Sequence, residues 1–136
     1  MTLREVLHAH IPLLDEQSTL RDAIDKMDIY QFPALVLVDD DRKPIGVLTE
    51  GDICRAVTHQ DSLKSLEQQP ALAFATLHPT TAEIDVEIGD ALHKMLGSGL
   101  TILPVVESDR LMGVVLRVDL MQAILADSAN EETPAL

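Results

Sequence analysis

The sequence predicts a mixed α/β protein of the α+β kind. Two copies of one small unit are expected to pack sheet to sheet with their helices outside. Three observations predict this. The phrase GVLTEGD at Gly46–Asp52 returns as GVVLRVD at Gly113–Asp119, 67 residues later. The match extends backwards at a spacing of 68, with Leu37-Val38-Asp39 against Val105-Val106-Glu107 and Ala23-Ile24-Asp25-Lys26-Met27 against Ala91-Leu92-His93-Lys94-Met95. Each copy also passes from helical to strand periodicity and back. The spacing changes by one where DDDRKPIG becomes ESDRLMG, and a hairpin tip tolerates such a deletion. A fixed internal period is the first thing to settle, because it decides the architecture.

The elements follow in order. Leu20, Ala23, Ile24 and Met27 have the i, i+3, i+4, i+7 spacing of an amphipathic helix, with Ser18 placed to cap it. Ile88, Ala91, Leu92 and Met95 repeat the pattern. Two apolar runs joined by a polar turn come next, ALVLV–DDDRK–PIGVL in the first copy and ILPVV–ESDR–LMGVV in the second. Such pairs read as hairpins of well-buried strands. A second helix follows each closing Asp, marked by Ile53, Ala56 and Val57, then by Leu120, Ala123 and Ile124. Extended lead-in segments are expected at His10–Leu14 and His78–Ile84. The boundaries follow as a first repeat over 7–60, a connector over 61–77, a second repeat over 78–127 and a loose acidic tail over 128–136. The connector should hold a short helix near Ser62–Gln69, stopped by Pro70, before the apolar ALAFATL run returns to the core. A unit of about 50 residues buries its sheet poorly alone, whereas two copies can share a core.

Composition bounds the function. Of 136 residues 46% are hydrophobic but only 2% aromatic, so the core must be Leu, Ile, Val, Ala and Met. Ten Lys and Arg against 23 Asp and Glu give a net charge of −13, which excludes the basic footprint of a nucleic-acid binder and a polybasic membrane patch. No apolar run approaches the ~18 residues of a transmembrane helix, and the N-terminal stretch lacks a signal-peptide core. The single Cys54 excludes an internal disulfide and a Cys-rich metal site. An intracellular, cytoplasmic protein is expected.

The closing phrase has a chemical rationale of its own. Gly46, and Gly113 in the second copy, lack a Cβ, so a ligand or neighbouring backbone can approach the strand closely. Thr49 stands where strand gives way to helix, and its hydroxyl with the first-turn N–H groups would suit a phosphate oxygen. Asp52 lies one turn along on the same side, an acceptor-only carboxylate suited to the paired hydroxyls of a ribose. Together they describe a ribose-phosphate grip. The alternative is that Thr49 or Glu50 caps a helix and Asp52 favours its dipole. The second phrase keeps Asp119 but replaces Thr49 by Leu116, so one competent and one weakened site are expected. Arg55 and Arg117 are the cations best placed to help an anion, and Arg117 could stand in for the missing hydroxyl. Arg42, Lys43 and Arg110 lie at hairpin tips and are expected to be solvated.

The repeated helices ending in Met27 and Met95, the Leu-Pro-Val-Val at 103–106, the acidic hairpin and the closing Gly-x-x-Thr-x-x-Asp resemble a tandem pair of CBS domains, a Bateman module, over roughly Leu7 to Asp127. The resemblance implies two β-α-β-β-α units related by pseudo-twofold symmetry with two clefts between them. It also implies a regulatory role, ligands such as AMP, ADP, ATP or S-adenosylmethionine, and a homodimer formed through the helices. With no enzyme or channel appended, the regulated partner would be a separate chain, or the module would act alone. The lead-in segment lines the cleft in that family and its backbone meets adenine, which adds His10, Ile11 and His78 to the candidate ligand contacts. The other class of function is a ligand-independent dimerisation or scaffold module.

Other motifs carry less. His8-Ala9-His10 could chelate a metal if extended, but no third ligand is evident. Cys54 reads as a small buried thiol beside Ile53 and Val57. Asp39-Asp40-Asp41 lacks the glycine and distal Glu of a calcium loop and reads as a hairpin turn. No catalytic triad, metal quartet or phosphate-binding glycine loop is present, so no enzyme is expected.

Overall fold

The computed structural model describes residues 1–59 and 62–132. It contains two small sheets and five α-helices among them. The contacts group the chain into two units, Pro12–Pro79 with Asp109–Leu111, and Met1–Ile11 with Thr80–Ser108 and the chain from Met112 onward.

In the first unit, strand β1 (Leu13–Leu14) leads into helix α1 (Leu20–Tyr30), then strands β2 (Ala34–Val38) and β3 (Pro44–Thr49) and helix α2 (Glu50–His59). The short helix α3 (Leu63–Leu66) and strand β4 (Thr76–Leu77) complete it. The sheet order is β1-β2-β3-β4, with β1 parallel to β2 and the remaining pairs antiparallel. Every residue of β2 is buried, which is why ALVLV is an unbroken apolar run rather than an alternating one. Leu14, Leu20, Ala23, Leu35, Leu37, Leu48 and Ile53 pack as one core.

Helix α1 is capped by Thr19, not Ser18. The Thr19 Oγ1 accepts the Asp22 N–H at 3.2 Å while Asp22 Oδ2 accepts the Thr19 N–H at 2.9 Å. This reciprocal capping box satisfies two amides that the helix cannot. The hairpin turn is built on Asp39, whose Oδ1 accepts the N–H groups of Asp41 and Lys43, both at 2.9 Å, as expected for a turn aspartate.

The second unit repeats the plan with β5 (Ala82–Glu83), α4 (Ile88–Ser98), β6 (Ile102–Glu107), β7 (Arg110–Leu116) and α5 (Arg117–Glu132). Its sheet order is β5-β6-β7, with β5 parallel to β6. Gly99 closes α4 in the left-handed conformation, φ 64°, the ordinary role of a glycine after a helix. Leu3, Ile84, Ala91, Met95, Leu103, Val105, Val115 and Leu120 form the core. The backbone of α5 runs on to Glu132, into the stretch expected to be a loose tail; 133–136 lie outside the described residues.

The segment Met1–Ile11, read above partly with the first repeat, groups with the second unit. Leu3–Glu5 forms a 3-10 turn with Leu3 fully buried, and Thr2 bridges to Glu87. Sixty-eight residues on, Ala71–Ala73 forms the same turn with Ala71 buried, and Pro70 bridges to Thr19. His8 then pairs with Val114 as Thr76 pairs with Val47. So the stretch leading into each repeat supplies the sheet edge of the opposite copy. Lys26 and Lys94 also carry the period, donating to the carbonyls of Leu13 and Thr81, each at 2.5 Å.

Candidate functional site

The first phrase closes on itself. Thr49 ends β3 and α2 begins at Glu50. The Thr49 Oγ1 accepts the Asp52 N–H at 3.1 Å, and Asp52 Oδ2 accepts the Thr49 N–H at 2.9 Å. Thr-x-x-Asp is therefore a working helix cap, and its hydroxyl hydrogen remains available to donate. Arg55 Nη2 donates to Asp52 Oδ1 at 2.7 Å. The Asp52 side chain is only 14% exposed whereas Arg55 is 67% exposed, so the acceptor is largely buried and its cation faces solvent. The Glu50 N–H is spent on the Pro33 carbonyl at 3.0 Å, which narrows the amide site expected for an anion.

The second phrase lacks the reciprocity. Asp119 Oδ2 accepts the Leu116 N–H at 2.8 Å, but Leu116 has no hydroxyl to return the bond. The partner on Asp119 is His8, whose Nε2 lies 2.8 Å from Oδ2. Arg117, expected to stand in for the missing hydroxyl, directs its Nε to the Leu100 carbonyl at 2.8 Å. It thereby ties α5 to the turn after α4.

Both glycines admit backbone. A Cβ on Gly113 would lie 2.4 Å from the His8 carbonyl oxygen and 2.7 Å from Leu7 Cδ1. On Gly46 it would lie 3.3 Å from Ala75 Cβ and 3.4 Å from the Thr76 carbonyl oxygen. Close approach of a neighbouring stretch of chain is thus one purpose these glycines serve.

Gly46, Thr49, Asp52, Arg55 and His78 thus fall in the first unit, and His10, Ile11, Gly113, Arg117 and Asp119 in the second. His10 and His78 are exposed, His78 with φ 53°, and Ile11 is half-buried. Among the described residues no cluster of His, Cys, Asp or Glu could hold a metal. Arg42 is not merely solvated, since its Nε donates to the Leu111 carbonyl at 3.2 Å. Cys54 is exposed rather than buried. It lines a cavity of about 470 Å³ with Ile24, Met27, Asp28, Glu50 and Ile53, among others. None of the ten candidate ligand contacts lines that cavity. His8 is the site residue that sequence reasoning missed. It was weighed only as a metal ligand, and the signal that could have found it is its 68-residue register with Thr76.

The sequence profile of the CBS domain matches residues 3–59 and again 73–126. The chain belongs to the CBS-domain family. This CBS pair is 31% identical over 108 residues to an uncharacterized 17.7 kDa protein from the bps2 3′ region of Acidianus ambivalens, covering 79% of this chain and 63% of that one. It spans less than half of two further curated relatives. Its fold matches CBSX2, solved in complex with AMP, with a TM-score of 0.80 and 20% identity over 93% of this chain and 98% of that one. The CBS-domain protein ATU1752 from Agrobacterium tumefaciens gives a TM-score of 0.79 at 20% identity, covering 90% and 98%. The expected class, a mixed α/β pair of CBS repeats, is therefore the one found. No helix among the described residues is long and apolar enough to cross a membrane.

Proposed function

We propose that this CBS pair is a regulatory module that binds an adenosine-containing ligand, of the class AMP, ADP, ATP or S-adenosylmethionine, through its first phrase. The observation that carries the reading is the arrangement of Thr49, Asp52 and Arg55. A fixed, mostly buried carboxylate stands one turn from a hydroxyl with a hydrogen to give, and an exposed guanidinium is bonded to that carboxylate. The carboxylate accepts from a ribose diol, the hydroxyl donates to a phosphate oxygen, and Arg55 exchanges Asp52 for the phosphate. The AMP complex of CBSX2 supports the ligand class. The second phrase, with Leu116 for Thr and Arg117 engaged at Leu100, is the weaker site. His10, Ile11 and His78 are proposed to contribute backbone or ring contacts to adenine. Regulation then follows from ligand stabilising one conformation over another rather than from a reaction, in the cytoplasm, with a separate chain as the regulated partner.

A second reading is favoured by a specific observation. In the first unit Ile29 and Tyr30 are 71% and 55% exposed, and in the second Leu96 and Leu125 are 60% and 65% exposed. Apolar helix faces of this kind suit a homodimer, and a ligand-independent scaffold would need nothing else. Titration calorimetry of AMP, ADP, ATP and S-adenosylmethionine into wild type and Asp52→Ala decides between them. Saturable binding at one tight site per chain, lost in the variant to leave only the weak second phrase, is expected. A folded dimer giving no heat with any of the four would leave the scaffold.

A further inference from the structure

The two phrases hold their aspartates with side chains from different places. Arg55 comes from the same helix as Asp52, three residues on. The position after Asp119 in the same register is Gln122, which carries no charge. Asp119 instead receives His8, delivered by the N-terminal segment at the sheet edge. The His8 backbone is fixed there, its N–H donating to the Val114 carbonyl at 2.8 Å and its carbonyl accepting the Val114 N–H at 3.1 Å. The matching place in the first unit holds Thr76, an exposed neutral residue. The side-chain partner of the carboxylate has therefore moved from the helix to the edge strand, and with it the identity of what must yield when the carboxylate is used.

We infer that His8 is the specificity-determining residue of the second phrase. It latches Asp119, so that a ribose diol can take that carboxylate only by displacing the imidazole and loosening the His8 end of the N-terminal segment. This rests on the ribose reading of the phrases given above. Both protein bonds to Asp119 fall on Oδ2. A diol spanning the two carboxylate oxygens must therefore share or replace the His8 contact, whereas the side chain it meets at Asp52 is Arg55, a 67%-exposed chain from the same helix. The neighbouring charges do not offer Asp119 a substitute partner. Arg117 Nε is engaged at Leu100 and Arg4 is held between Asp85 and Glu107. Because coupling is reciprocal, ligand at Asp119 loosens the segment and a loosened segment favours ligand. The second phrase thus reports its occupancy through the N-terminus, which the first phrase has no means of doing.

The test uses the full chain with His8→Ala. In the Asp52→Ala background, where the second phrase alone remains, His8→Ala is expected to tighten AMP binding by about fivefold, the scale of one exposed charge-assisted hydrogen bond. Unchanged or weaker AMP binding would overturn the latch, as would binding to neither variant. Separately, in ligand-free protein, amide exchange at Val114 should quicken several-fold in His8→Ala and recover in part in His8→Gln. Unchanged exchange would overturn the latch even if AMP binds. Failure of the ribose reading looks different, because wild type would then bind none of the adenosine compounds while the exchange result still stood.

Discussion

The two glycines offer a comparison in which residue, strand position and repeat are matched and only the neighbour differs. Neither Gly46 nor Gly113 has a positive φ, so alanine is conformationally acceptable at both. Each substitution gains about 0.4–1 kcal/mol by restricting the unfolded chain. At Gly46 the new Cβ meets Ala75 Cβ at 3.3 Å and the Thr76 carbonyl oxygen at 3.4 Å, a tightness that a shift of a few tenths of an ångström relieves. Gly46→Ala should therefore cost about 1 kcal/mol at most. At Gly113 the obstacle is backbone, the His8 carbonyl oxygen at 2.4 Å, and no rotamer change removes it. Overpacking of this kind costs about 1–3 kcal/mol. If His8 is pushed away, its two hydrogen bonds with Val114 are lost as well, at about 1 kcal/mol each. Gly113→Ala should then destabilise by about 2–4 kcal/mol after the unfolded-state gain, roughly 6–15 °C in melting temperature for a chain of this size. Urea and thermal unfolding of both variants measure it. Equal losses within about 0.5 kcal/mol would refute the claim that the N-terminal strand is seated against Gly113.

Leu116→Thr should restore the missing half of the second cap, letting a hydroxyl accept the Asp119 N–H. A gain of about 0.5–1 kcal/mol is expected in chemical unfolding, and calorimetry should count a second ligand site if the weak phrase lacks only that hydroxyl. Glu67 gives an acid-limb prediction. Hydrogen bonds from Lys64 and Arg21 hold its carboxyl below the usual range. The resulting stability is present above about pH 4.3 and is lost as pH falls through the lower folded value. Urea midpoints from pH 6 to 3 should show the gap between wild type and Glu67→Gln closing only below that point, and a constant gap would count against the pairing.

Much of this could be read from the chain because periodicity reports what a face is buried against. The buried faces of α1 and α4, at Leu20, Ala23, Met27 and Ile88, Ala91, Met95, are those the spacing marks, and ALVLV and ILPVV are strands with no dry-to-wet alternation because neither face meets water. The Thr-x-x-Asp spacing was legible for the same reason, but it serves a cap and a ligand grip equally, since both need an oxygen aimed at a first-turn amide. What the sequence hid is short or non-local. A strand of two residues such as β4 has no period to detect, whereas β1 and β5 fall inside the lead-in segments expected at 10–14 and 78–84. Cys54 adjoins Ile53 in the sequence but stands about 100° round the helix from it, facing the cavity beside Asp28 instead of the core.

The hidden features share a cause, and it bears on how the module works. Each edge bridge joins a lead-in stretch to the opposite repeat, so its partner lies more than a hundred residues away for His8 and Val114 but about thirty for Thr76 and Val47. Closing the longer loop costs more chain entropy, though only slowly with length. The longer connection is also the one reinforced by a side-chain contact to Asp119 and by the Arg4 pairs to Asp85 and Glu107. An edge that depends on such contacts is one that ligand chemistry can reach. An edge tethered by a short connector is not, and under the proposed ribose reading the departure of the second phrase from the first at Leu116 and Gln122 is a division of labour rather than decay. On the proposed reading the first phrase keeps the complete cap and an exposed arginine, which suits holding a ligand, while the second ties its carboxylate to the N-terminal edge strand.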